Sequence, residues 1–200
     1  MVGPLDEYPL HQVPLPVTWA GTSDRNFYDR CYLNAHDRTG EIFLITGMGY
    51  YPNLGTKDAF VLVRRGNEQT AVHLSDAIDD DRLDQRVGNY RIEVVEPLHK
   101  LRVVLEETEG IGLDLTWEGS FDVLQEQPHV MRAGSRVTLN AQRFAQVGTW
   151  CSGYSSRWLT TPSPRPSRAG VPAGACCASG SLCPRGGRSR RSGSAGHRCA

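Results

Sequence analysis

The chain has 200 residues, with 22 basic and 22 acidic side chains, which suits one domain or one domain followed by a tail. Eight of the basic residues and none of the acidic ones lie in the last fifty positions, which leaves 14 basic against 22 acidic side chains in residues 1–150. A nucleic-acid-binding surface requires basic side chains, so we expect no nucleic-acid partner for residues 1–150.

The first residues contain no charged segment followed by an apolar run, which is the pattern of a secretory signal. No stretch approaches the roughly 18 consecutive apolar residues of a membrane-spanning helix. We therefore expect a cytoplasmic protein without a membrane span. Of the six cysteines only Cys31 lies in the first 150 residues, so that part has no disulfide framework.

Prolines dominate the start of the chain. Pro4, Pro9, Pro14 and Pro16 predict that residues 1–18 form an extended arm without a helix. Trp19 is expected to anchor this arm against the following domain, and a ligand contact is the less common alternative.

The next segments have the composition of strands separated by turns. Glu41–Gly49 is apolar and β-branched and follows a turn at His36–Gly40, while Asn53–Thr56 predicts a further turn. Asp58–Arg65 predicts a second strand, which Arg65–Glu68 connects to its neighbour as a hairpin. The Asp-rich residues 76–85 lack the Gly and terminal Glu of a calcium loop, so they predict a surface loop.

Three later segments show the alternation of side chains that is typical of strands with one buried face. They are Asn89–Glu96, His99–Glu106 and Leu113–Phe121, in which Phe121 is expected on the buried face. Ser135–Asn140 continues the pattern, and Phe144–Trp150 predicts a last strand. Because open sheet edges promote aggregation, this many short strands predict an all-β, antiparallel barrel-like domain over residues 19–150.

Composition changes abruptly at Cys151. Of residues 151–200, 42 belong to six types (Ser, Gly, Arg, Ala, Pro and Cys), and such a segment is predicted to be disordered. Three interpretations remain open. We favour an out-of-frame translation of GC-rich DNA. The alternatives are a basic RNA-binding arm carrying PRGGRSRR and a zinc site built from Cys176, Cys177, Cys183, His197 and Cys199, whose spacing is unsuitable.

Tyrosines and asparagines crowd between Asp24 and Val63, and a polar aromatic set of this kind suits the mouth or interior of a barrel. The candidate ligand-binding residues are Asn26, Tyr32, Asn34, Tyr50, Tyr51, Asn53 and Trp117. Asp24 and Tyr28 are the candidate catalytic residues, because a carboxylic acid in an apolar pocket has a raised pKa and can protonate an alkene. Alternatively, Asp24 and Asn26 satisfy turn backbone and the tyrosine hydroxyls face outward.

Other chemistry has little support. Cys31 is expected to be a small buried side chain that fills space in the core. The histidines are scattered and lack the spacing of metal ligands. The sequence contains no Gly-rich phosphate loop, no GxSxG and no HExxH, so we expect no cofactor and no metal.

The segments DRNFYDRCYLNAHD, GMGYYPNLGTKDA, RVGNYRIEVVEPLHKLRVVLE and GLDLTWEG resemble the N-terminal half of actinobacterial proteins. Those proteins are similar to the carotenoid 1,2-hydratase (hydroxyneurosporene synthase) and AttH-like superfamily. The resemblance spans about residues 19–150 and implies a lipocalin-like (calycin) barrel, the first of two. Relatives continue past Trp150 with a further strand, which is lost here after Cys151.

The resemblance implies a module that binds an apolar small molecule, such as a lipid or a polyene. A second hypothesis is a cofactor-independent hydratase or isomerase that uses acid–base chemistry on an unsaturated lipid or isoprenoid. A third is a truncated, non-functional product. The oligomeric state stays open.

Overall fold

The computed structural model of the protein describes residues 2–8, 20, 22–79, 81, 83–152 and 180–183. Its regular elements are strands and two short 3₁₀ turns, which confirms the all-β prediction. The strands are β1 (Asp29–His36), β2 (Ile42–Tyr51), β3 (Thr56–Arg65), β4 (Glu68–Ala77), β5 (Gln85–Val87), β6 (Tyr90–Glu96), β7 (Lys100–Thr108), β8 (Ile111–Gly119), β9 (Leu124–Gln125), β10 (His129–Ala133), β11 (Arg136–Ala141), β12 (Phe144–Ala145), β13 (Gly148–Ser152) and β14 (Gly180–Cys183). The 3₁₀ turns are Pro4–Glu7 and Pro52–Leu54.

Ten of these strands form one sheet, in the order β4-β3-β2-β1-β14-β13-β8-β7-β6-β5. Strands β1 to β4 are an antiparallel meander, and so are β5 to β8. Strand β13 is antiparallel to β8, and β14 lies parallel to both β1 and β13. The two meanders are therefore joined edge to edge through β13 and β14.

A hydrogen bond across the interior shows that this sheet is rolled. The hydroxyls of Thr46 on β2 and Tyr90 on β6 are 3.0 Å apart, although five strands separate β2 from β6 in the sheet order. Thr46 Oγ1 also donates to the carbonyl of Phe60 at 2.8 Å. Because a threonine hydroxyl carries one proton, Tyr90 is the donor to Thr46. A flat sheet could not bring these groups together.

The predicted alternation is confirmed along β6, β7 and β8. The inward side chains belong to one hydrophobic core, with Tyr90 and Ile92 on β6, Leu101, Val103 and Leu105 on β7, and Ile111, Leu113, Leu115 and Trp117 on β8. The outward face carries ion pairs. Arg102 holds both carboxylate oxygens of Asp114, at 2.7 and 2.9 Å, and contacts Glu93 at 3.2 Å. The hydrogen bond from Arg102 lowers the pKa of Asp114.

The predicted turns at Asn53–Thr56 and Arg65–Glu68 are also confirmed, since β3 begins at Thr56, ends at Arg65 and is followed by β4 at Glu68. Gly55 and Gly66 adopt φ values of 67° and 57° there. Side chains rarely tolerate this left-handed conformation, so the two glycines fix where β3 begins and ends.

Strands are present in both Leu113–Phe121 and Ser135–Asn140 as predicted, but two predictions about their buried faces were wrong. Strand β8 ends at Gly119, and Phe121 is 71% exposed instead of lying on the buried face. Ser135–Asn140 falls largely in β11, which pairs with β10 in a separate, mostly exposed hairpin. Alternation predicts a strand but does not identify its partner, and the pattern cannot show where a strand leaves the core.

The N-terminal prediction was wrong over its first residues. Pro4–Glu7 forms a 3₁₀ turn instead of an extended arm, because proline is compatible with the first turn of a helix and the Asp6 carboxylate accepts the Gly3 N–H. The rest of the predicted arm beyond Tyr8, together with Trp19, lies outside the described residues.

The composition break at Cys151 lies inside β13, which runs from Gly148 to Ser152. Of the predicted disordered tail, the structure describes the backbone of Cys151, Ser152 and β14, and the rest lies outside the described residues. The proposed zinc set is likewise outside them, except for the backbone of Cys183.

Replacing Thr46 by Val tests the rolled arrangement. The change leaves the fully buried Tyr90 hydroxyl without its acceptor, so we expect a loss of about 1–3 kcal/mol in the free energy of unfolding, measured in urea. The matched control is Thr116→Val on the outward face of β8, which should cost no more than about 0.5 kcal/mol. Equal losses for the two variants would contradict the interior hydrogen bond.

Candidate functional site

A cavity of about 600 Å³ opens beside β1. Its apolar wall includes Leu33, Met48, Ile92, Leu101 and Trp117, and its polar wall includes Glu7, Asp29, Tyr32, Asn34, Gln85 and Gln146. Asp6 and Glu7 of the first 3₁₀ turn and residues 142–146 also line it. It therefore combines side chains from both meanders with the N-terminal segment.

The cavity lies where the sheet is incompletely paired. Strand β1 is paired with β2 along its whole length, but β14 meets β1 only at Ala35 and His36. Beyond that end, the indole Nε1 of Trp150 on β13 donates to the carbonyl of Asn34 at 3.2 Å. This side-chain bridge connects β13 to β1 beyond the short pairing with β14.

Trp117 forms one wall of the cavity and is only 3% exposed. Two glycines make room for its indole ring. A Cβ on Gly148 would lie 2.6 Å from Trp117 Nε1, and one on Gly119 would lie 3.3 Å from Cη2. The buried Nε1 has no acceptor among the described residues. An unpaired buried donor is costly, because it loses its hydrogen bonds to water without gaining a protein partner.

Glu7 brings a carboxyl group to the cavity from the 3₁₀ turn. Its Oε2 accepts the backbone N–H of Leu98 at 2.6 Å, and its backbone carbonyl accepts Gln85 Nε2 at 3.2 Å. Burial raises the pKa of Glu7, while the Leu98 hydrogen bond and the nearby His99 act in the opposite direction. The sequence analysis missed Glu7, because its partner Leu98 is 91 residues away and no local pattern links the two.

Four of the predicted ligand-binding residues meet at the cavity: Tyr32, Asn34, Tyr50 and Trp117. Tyr50 and Trp117 are buried, whereas Tyr32 is 49% exposed and lies at the opening. The crowding of Tyr and Asn on β1 and β2 thus includes residues of the cavity wall.

The predicted residues Asp24, Asn26 and Asn53 lie elsewhere, and all three are exposed. The Asp24 carboxylate accepts the Asn26 N–H at 2.9 Å, and Asn53 Nδ2 donates to the carbonyls of Asp24 and Thr22. This arrangement corresponds to the alternative in which these residues satisfy turn backbone. Asp24 does not lie in the apolar pocket that its predicted acid role requires.

Tyr28 and Tyr51 form a surface cluster with Arg30. Their ring centroids are 6.1 Å apart, the Arg30 guanidinium lies 5.1 Å from the Tyr28 ring centroid, and Arg30 donates to the Tyr51 hydroxyl at 2.9 Å. Tyr51 in turn donates to Asp58 at 3.2 Å. Tyr28 is 49% exposed and contributes nothing to the cavity wall. Its position favours a packing role for the ring.

Cys31 lies on the cavity wall and is half-buried instead of being enclosed in the core. Burial of the charged form raises the pKa of its thiol to about 12. The thiolate is the reactive form, so this cysteine is a neutral, apolar part of the wall at neutral pH.

Among the described residues, no cluster of three or more His, Cys, Asp or Glu side chains is arranged to hold a metal ion. In the same part of the chain, none of the helical segments has the length and apolar character needed to cross a membrane.

Residues 2–165 match a family of unknown function, DUF8625, and the chain belongs to this family. The match includes the cavity and continues beyond Trp150, where the predicted domain ends. No curated protein matches the chain, and no solved structure matches it.

The neutral state of Cys31 can be measured through its alkylation. At pH 8.5 we expect iodoacetamide to modify Cys31 at least about a hundredfold more slowly in the folded protein than in urea, since a pKa near 12 leaves little thiolate. Mass spectrometry of the peptide containing Cys31 follows this reaction separately from the other cysteines. Similar rates in both states would show that the thiol is exposed and unperturbed.

Proposed function

We propose that the protein binds a small, largely apolar molecule in the cavity beside β1. The observation that carries this proposal is the cavity itself, which has a volume of about 600 Å³ and brings an apolar wall together with a few polar groups. Ligand sites of proteins have volumes of about 300–1,000 Å³ and this kind of lining.

The surrounding structure supports the proposal. A cavity within a core is costly, because its lining side chains lose contacts that close packing would provide. Leu101 and Trp117 occupy paired positions on β7 and β8, and Met48 faces them from β2. These strands are hydrogen-bonded parts of the main sheet, which positions the side chains of the apolar wall.

For the alternative function, acid–base catalysis, Glu7 replaces Asp24 as the candidate acid. Glu7 has a raised pKa, and it lines the cavity. A raised pKa favours the protonated form of the carboxyl, which is the form that donates a proton to an alkene. If a substrate is found, Glu7→Gln should abolish turnover while substrate binding is retained.

Binding is tested with N-phenyl-1-naphthylamine, an uncharged apolar dye whose fluorescence rises in an apolar site. We expect saturable binding with a dissociation constant on the order of 1–10 µM. Cys31→Phe places a ring in the cavity and should weaken binding by at least about tenfold, whereas Cys31→Ala should retain it within about threefold.

Thermal melts of both variants show whether each is folded. A folded Cys31→Phe protein that binds the dye as tightly as the parent would place the dye elsewhere. The absence of saturable binding by the parent would refute the proposed function.

A further inference from the structure

We infer that the hairpin formed by β10 and β11 docks the protein on an anionic lipid bilayer. The inference goes beyond the proposed function, since it is carried by the surface of the hairpin and does not require the cavity to bind a ligand. It is based on the exposure of the hairpin, on its exposed apolar side chains and on its positive charge.

The hairpin stands apart from the main sheet. Its two strands pair with each other, and neither packs extensively against another described element. Every residue of β10 is exposed, as are four of the six residues of β11. A two-stranded hairpin without tertiary packing is only marginally stable in water, so contact with a further surface would stabilise it.

Exposed apolar side chains are concentrated on this part of the chain. Five of the eleven exposed large hydrophobic side chains of the described residues lie within residues 121–137, namely Phe121, Leu124, Val130, Met131 and Val137. Such a concentration marks an interaction surface for a protein or a membrane. Val130 and Met131 are neighbours on one strand, so their side chains point to opposite faces of the hairpin. A flat protein surface would cover only one of these faces, whereas lipid surrounds an inserted hairpin on both.

The charge of the hairpin is opposite to that of the domain as a whole. Residues 127–143 contain three arginines and no acidic residue, although residues 1–150 have 14 basic against 22 acidic side chains. Arg132 and Arg136 lie on either side of the turn at the tip, and neither forms an ion pair with a described residue. Each arginine close to an anionic membrane strengthens binding by about fivefold. Charge complementarity therefore favours an anionic bilayer as the partner.

The base of the hairpin adjoins the cavity. The residues on either side of the hairpin line the cavity wall, namely Gln125, Glu126, Gln142 and Arg143. The two connections are held together by the hydrogen bond from the Glu126 N–H to the Arg143 carbonyl, at 2.9 Å. Docking through the hairpin therefore brings the cavity close to the bilayer, in which apolar small molecules dissolve.

Co-sedimentation of the full chain with lipid vesicles tests the inference. In about 0.1 M NaCl, we expect phosphatidylcholine vesicles with about 30% phosphatidylserine to bind the protein at least about tenfold more tightly than pure phosphatidylcholine vesicles do. Binding should weaken in about 0.5 M NaCl, because salt screens the charges. Residues 151–200 carry eight further arginines, so variants are needed to measure the contribution of the hairpin.

The first pair of variants measures the contribution of the apolar side chains. Val130→Ser combined with Met131→Ser should weaken binding to the anionic vesicles by at least about fivefold, because two apolar side chains no longer enter the bilayer. The matched control is Leu83→Ser combined with Val95→Ser, which removes two exposed apolar side chains outside the hairpin. It should change binding by less than about twofold.

The second pair measures the contribution of the charges. Arg132→Gln combined with Arg136→Gln should weaken binding by at least about tenfold. Arg25→Gln combined with Arg38→Gln removes the same charge from exposed positions elsewhere and should weaken binding by less than about threefold. All the substituted side chains are exposed, so thermal melts should show that each variant is folded.

The outcomes distinguish the bilayer from other partners. If the anionic vesicles do not bind the protein, the inference fails. If the hairpin variants bind as tightly as the parent, it also fails, because the arginines of residues 151–200 then account for the interaction. A dimer in analytical ultracentrifugation that is lost in the Val130→Ser, Met131→Ser variant, with vesicle binding unchanged, would assign the hairpin to a second copy of the chain. Dye binding reports on the cavity alone, so the proposed function succeeds or fails separately.

Discussion

The interior contact between Thr46 and Tyr90 constrains the whole arrangement of the sheet. It connects β2 to β6 across a space that the sheet must enclose, and it includes a second hydrogen bond to the Phe60 carbonyl. A shift of one residue in β2 would turn Thr46 outward and leave the Tyr90 hydroxyl buried without a partner. The hydrogen bonds that link Tyr90, Thr46 and the Phe60 carbonyl in the core therefore favour one strand register. Apolar packing alone specifies the register less strictly.

The same constraint explains why a cavity exists beside β1. Rolling the sheet brings β1 close to β13, but Trp150 bridges them by a side chain where a continuous ladder would otherwise close the wall. The large Trp117 ring fits inside because Gly119 and Gly148 leave space around it. Beyond the two β1 residues that pair with β14, a ring contact takes the place of the ladder, and Asp6 and Glu7 of the Pro4–Glu7 turn line the cavity beside β1.

The sequence predicts the parts of this fold that are encoded locally. Alternation in β6, β7 and β8 gives the inward faces, and Gly55 and Gly66 determine the ends of β3. The cavity is lined by residues that are distant from one another in the sequence, so local patterns predict it less well than they predict the strands. Tyr32 and Tyr50 could be selected as aromatic residues on adjacent strands, but so could Tyr28, which packs at the surface. Glu7 could not be found, because its role arises from a tertiary contact that composition and periodicity do not record.

The polar groups of the interior differ in how completely their hydrogen bonds are satisfied. Thr46 and Tyr90 satisfy each other, and Gln146 donates to the Leu98 carbonyl. Burial costs free energy for any polar group that finds no partner, and the cost is larger for a charged group than for a neutral one. A stable core would replace Trp117 Nε1 by carbon or give it an acceptor, as Trp150 Nε1 has in Asn34. The burial of Trp117 Nε1 without an acceptor among the described residues therefore costs stability, in contrast to the burial of Trp150 Nε1.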